Sequence, residues 1–97
     1  LELARQAVRF RGGPEAITTL GQIQFQQGLT ERAQRTLNRS LALRPDSPST
    51  HYWLAKTLVA SGDPAAAKES LNRALESPSF PEKEQATADL KKLKTVQ

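Results

Sequence analysis

Six residues of this chain are spelled almost twice. Residues 36–41 read TLNRSL and residues 70–75 read SLNRAL, an offset of 34 in a chain of 97 residues. Laying the chain over itself at that offset extends the match. Leu20 falls on Leu54, Gly28 on Gly62, Ala33 on Ala67, Leu37 on Leu71, and Ser40 on Ala74. Gly21 falls on Ala55, again a small residue. A fixed period of this kind marks one supersecondary unit used repeatedly, because a single unit cannot bury its own apolar face and must stack on a neighbour. The repeat therefore restricts the chain to a stacked array.

The units are helical. Breakers at Gly12-Gly13-Pro14, Gly28, Arg44-Pro45-Asp46-Ser47-Pro48, Gly62-Asp63-Pro64 and Ser77-Pro78-Ser79-Phe80-Pro81 divide the chain into segments of helix length. No segment alternates with period two, so strands are not expected. Pro14 with Glu15 suits a first helical turn, where a missing N–H costs nothing. Thr30, Ser47 and Asp63 are candidate N-caps, and Gly28 and Gly62 suit the left-handed residue that ends a helix. Ala33, Leu37, Ser40 and Leu41 form one face of the segment from Thr30 to Arg44, and Ala67, Leu71, Ala74 and Leu75 repeat it. Asn38, Arg39, Asn72 and Arg73 fall outward. The expected fold is all-α, an antiparallel helix-hairpin solenoid of about six helices.

The period and the order of small and large residues resemble the tetratricopeptide repeat family. There, helix A carries a large residue, then leucine, then glycine or alanine; helix B carries alanine, a large apolar residue and alanine, and a proline closes the unit. Ile17, Leu20, Gly21, Ala33, Leu37, Ser40 and Pro45 fill these places first, and His51, Leu54, Ala55, Ala67, Leu71 and Ala74 fill them again. Gln24 and Leu58 stand where the family often has tyrosine, and His51 where it favours a large apolar side chain. The second unit's proline is displaced to Pro78 and Pro81. The resemblance implies a right-handed superhelix in one domain, with repeats at 14–47 and 48–81. It also implies the second helix of a truncated preceding repeat at 1–12 and a capping helix at 82–97. In that last helix Ala86, Ala88, Leu90 and Leu93 are expected inward, with Glu82, Lys91 and Lys92 wet. Because the chain starts at Leu1 within a helical pattern, it is expected to be a piece of a longer protein.

Chemistry is sparse. There is no cysteine and one histidine, His51, so no His-paired nucleophile or metal-ligand cluster is expected. His51 reads as a packing residue at a helix start. Gly12-Gly13 lacks the rest of a phosphate loop. No enzyme activity, cofactor, metal or small-molecule substrate is expected. No apolar run is long enough to span a bilayer. Without cysteine, cytoplasm and periplasm or cell envelope fit equally. The net charge of +4 is dispersed, apart from Arg32, Arg35 and Arg39 on one helical face, and nucleic acid ranks last among partners.

The resemblance implies a concave groove lined by the A helices and a protein or peptide partner. Its expected positions are Thr18, Gln22, Phe25 and Gln26, then Ser49, Tyr52, Lys56 and Val59, with Phe25 and Tyr52 as aromatic anchors. Trp53 is expected to point away from Tyr52, toward a neighbouring helix. Where family members hold chaperone tails with a clamp of lysine, asparagine and arginine, this chain has Thr18, Gln22, Ser49 and Trp53, so carboxylate tails of that kind are not expected. The stretches TLGQIQFQQG and FPEKEQATADLKKL resemble ends of bacterial repeat proteins of exopolysaccharide and cell-envelope systems. Self-association through the N-terminal end is a further expectation.

Overall fold

The computed structural model describes residues 13–95, which form five α-helices and no strand. They are α1 (Pro14–Gln26), α2 (Thr30–Leu43), α3 (Pro48–Ala60), α4 (Pro64–Ala74) and α5 (Lys83–Thr95). The sixth expected helix, at 1–12, lies outside the described residues.

Local chemistry sets the boundaries. Proline opens α1, α3 and α4. Ser47 Oγ accepts the Thr50 N–H at 3.4 Å and Asp63 Oδ1 accepts the Ala66 N–H at 3.2 Å, each satisfying a first-turn donor. Thr30 does not cap α2 as its type suggested. Leu29 takes that place, with no side-chain cap bond.

The ends of α1 and α3 are the same device used twice. Gly28 and Gly62 have φ of 83° and 89°, and each donates to a carbonyl three residues back, at 3.0 Å to Phe25 and 3.1 Å to Val59. The following residues, Leu29 and Asp63, reach back to Gln24 and Leu58, both at 2.9 Å. These paired bonds consume two orphan carbonyls and turn the chain sharply into the next helix.

The turns fold α1 on α2 and α3 on α4, α2 then stacks on α3, and α5 closes the far side against α4. Inward positions recur at the 34-residue offset: Leu37 and Leu71 are at 0% and 1% exposure, Ala33 and Ala67 at 0%. Each buried leucine contributes about 1.5–3 kcal/mol. Asn38, Arg39, Asn72 and Arg73 are exposed, as their register required. Within the first hairpin, Thr36 donates to Gln24 Oε1 at 2.6 Å, which gives the buried Gln24 carbonyl oxygen a partner.

The joint between the two units has a polar centre. Ser40 gives its proton to the Pro14 carbonyl at 2.8 Å, and its oxygen lies 2.7 Å from the Thr18 hydroxyl. Thr18 meets Thr50 at 2.6 Å, and Thr50 meets the Ser47 hydroxyl at 2.9 Å. A chain of four hydroxyls thus runs from the start of α1 to the start of α3. His51, the lone histidine, is buried and donates from Nε2 to the Pro45 carbonyl at 2.8 Å. It packs, as its position implied.

In α5, Ala86 and Leu90 are buried and Leu93 is half-buried. Ala88, expected inward, is exposed: the buried stripe follows 86, 90 and 93, and residue 88 lies on the opposite side of the turn. Glu82, expected wet, is half-buried.

Candidate functional site

The expected groove residues do not form one surface. Thr18 belongs to the hydroxyl chain at the joint. Ser49, Tyr52 and Lys56 lie under α5. Ser49 Oγ donates to Glu82 Oε1 at 2.7 Å, and Lys56 Nζ reaches Asp89 Oδ2 at 3.4 Å. Tyr52 is 5% exposed, so it is a core residue and not the surface anchor its position suggested. The helix that caps the stack covers this part of α3.

Tyr52 and Trp53 do not point apart. Their rings meet edge to face with centroids 5.1 Å apart, and Trp53 also meets Phe25 of α1 at 6.1 Å and 55°. Trp53 thus turns toward the neighbouring unit, as expected, and ties the two units together beside the hydroxyl chain. Lys56 Nζ sits 5.8 Å from the Tyr52 ring centroid, within reach of a cation–π attraction. Burial pushes the Tyr52 phenol above its usual value, with Lys56 opposing and Asp89 adding to the rise.

Phe25, Lys56 and Val59 converge. They line a hollow of about 340 Å³ whose floor is Ala55 and Leu71 and whose far wall is Asp89 and Leu93 of α5. Phe25 is half-buried and Val59 is 48% exposed, so apolar surface faces solvent here. The Lys56–Asp89 pair forms a charged rim. Gln22 and Gln26 lie on the same helix as Phe25 and do not line the hollow. Asp89 was not anticipated, whereas Leu93, expected inward, lines the hollow beside it; both come from α5, outside the repeat. Their spacing of four residues, on the stripe continued by Leu90, is the clue that placed them on one face.

A concave, mostly apolar site with few polar groups suits an apolar side chain of a ligand, oriented by the rim. Among the described residues, no three histidine or carboxylate side chains converge on a point that could hold a metal ion. No helix among them is long and apolar enough to cross a membrane.

Comparison with known proteins bears on the same two units. The tetratricopeptide repeat family model matches residues 14–47 and again 48–79. No curated protein and no solved structure matches the chain.

Proposed function

Because the chain belongs to the tetratricopeptide repeat family, whose members generally mediate protein–protein interaction, we propose that it is a non-catalytic scaffold that binds a segment of a partner protein in the Phe25–Val59 hollow. The observation that carries this reading is the exposed apolar surface of Phe25 and Val59, brought together from both units and closed by Leu93. Val59 is 48% exposed, and Phe25, which also meets the Trp53 ring, is half-buried. A partner side chain entering the hollow removes that surface from water, at about 25 cal/mol per Å². The rim then selects the polar neighbours of that side chain.

Panning a random peptide display library against the domain tests the reading. Selected peptides are expected to share a large apolar residue and to lose binding to a Val59→Asp variant whose circular dichroism is unchanged. Phe25 touches Trp53, so binding is also expected to alter the emission of this single tryptophan. Peptides that bind Val59→Asp as well as the parent would remove the hollow as the site.

A second reading, self-association at the α1 end of the stack, is favoured by one comparison between the units. Ile23 of α1 is 39% exposed, whereas its counterpart at the 34-residue offset, Thr57, is fully buried. The surface that α3 uses for stacking is open on α1 among the described residues. Sedimentation over a range of concentrations is expected to show association that Ile23→Glu abolishes; a monomer throughout eliminates this reading.

A further inference from the structure

The outward face of α2 carries charge that the repeat does not require. Arg32, Arg35 and Arg39 are all exposed, and none makes an ion pair among the described residues. They stand at i, i+3 and i+7, so their attachment points step along the helix by about 4.5 and 6 Å on one stripe. The second unit provides an internal control. At the same offsets α4 has Ala66, Glu69 and Arg73, so two of the three positive charges are absent and one is replaced by a negative charge. Packing fixes Ala33, Leu37 and Ser40 in α2, all fully buried, but makes no demand on 32, 35 and 39. Solvated helix surfaces normally intersperse the two signs, as α4 does with Lys68, Glu69 and Arg73. The outward stripe of α2 carries a single acid, Glu31, at its N-terminal end, followed by three arginines.

We infer that Arg32, Arg35 and Arg39 form a second docking surface, on the side of the first hairpin opposite its packed face, for an acidic segment of a partner polypeptide. Arginine suits this partner because its planar fork takes a carboxylate through two parallel hydrogen bonds. The steps along α2 match those of acidic side chains on one face of a facing helix, where residues three and four apart are neighbours. Single-stranded nucleic acid fits the charge but not the composition. Its binding surfaces interleave aromatic rings for base stacking, and α2 carries none. Phe25, Tyr52 and Trp53 lie on α1 and α3, not on α2. Charge complementarity therefore selects the acidic polypeptide.

Fluorescence anisotropy with three labelled probes decides the matter. The first is a helical peptide with glutamates at i, i+3 and i+7; the second has glutamine at those positions; the third is a thymidine 20-mer. The glutamate peptide is expected to bind, more weakly as salt is raised, and the glutamine peptide is not. Binding is expected to fall about tenfold in an Arg32→Gln, Arg35→Gln, Arg39→Gln variant of unchanged circular dichroism, and to persist in Val59→Asp. No saturable binding of the glutamate peptide, or equal binding by the triple variant, overturns the proposal. So does tighter binding of the thymidine 20-mer, which would make the stripe a nucleic-acid surface.

Discussion

A Cβ placed on Gly21 would stand 2.6 Å from both Cγ and Cδ2 of Leu37, closer than carbon atoms approach one another in folded proteins. The glycine lets α1 and α2 come together, and Leu37, with no exposure, has nowhere to retreat. Gly21→Ala sets two effects against each other. Alanine favours the helix by about 1 kcal/mol, while overpacking a full core costs about 1–3 kcal/mol. Because Leu37 is enclosed, the clash is expected to win and the urea midpoint to fall. A raised midpoint would show that the hairpin can open at no cost.

Gly62 is needed for a different reason. No atom lies within 4 Å of a Cβ added there, but its φ of 89° is one that side chains resist. Gly62→Ala is expected to cost about 1–2 kcal/mol through the backbone alone, and Gly62→Asn less. Thermal melts of the pair check the order. Equal melting temperatures for parent and alanine variant would mean that the turn has another low-energy form.

Thr50→Val keeps the shape of a fully buried side chain and removes the hydroxyl that links Thr18 to Ser47. The expected loss is about 1–2 kcal/mol, the cost of buried polar partners left unmet. Ser40→Ala, which reproduces the second unit's Ala74, is expected to cost less. Chemical denaturation of both variants tests this, and a reversed order would contradict the hydroxyl chain as drawn.

The phenol of Tyr52 holds its proton more tightly in the folded chain than in the unfolded one, where the ordinary value is 10.0. Its contribution to stability is therefore complete below about pH 10 and is lost as pH rises through the folded-state value. As the only tyrosine, its ionisation can be followed directly by phenolate absorbance. The midpoint is expected above 10.0, and Tyr52→Phe is expected to lose less stability in alkali than the parent. A midpoint at or below the ordinary value would mean that the ring is open to water.

The inward positions were legible because close packing repeats them every 34 residues, and Ala33, Leu37, Ala67 and Leu71 lie where that period puts them. So were the glycine turns, since only a residue without a side chain adopts their backbone freely. Adjacency on a helix suggested that Tyr52 and Trp53 diverge, but long aromatic side chains bend back, and their rings meet. The burial of Tyr52 was not legible either. It depends on where α5 lands, and α5 is positioned by Ala86 and Leu90 and by single polar contacts such as Ser49–Glu82 and Lys56–Asp89. Contacts made once leave no period to read. The part of the site built by the repeating helices, Phe25 with Lys56 and Val59, was implied by the family resemblance.

The hydroxyl chain between the units bears on behaviour in the cold. Apolar burial loses strength on cooling because exposing hydrocarbon raises heat capacity, whereas exposing polar surface lowers it. Thr18, Ser40, Thr50 and Ser47 occupy places that leucine or valine could have taken in a greasier joint. Their share of the joint adds little to the heat capacity of unfolding. The two hairpins are thus held together by a contact that weakens less as temperature drops than the leucine layers on either side of it.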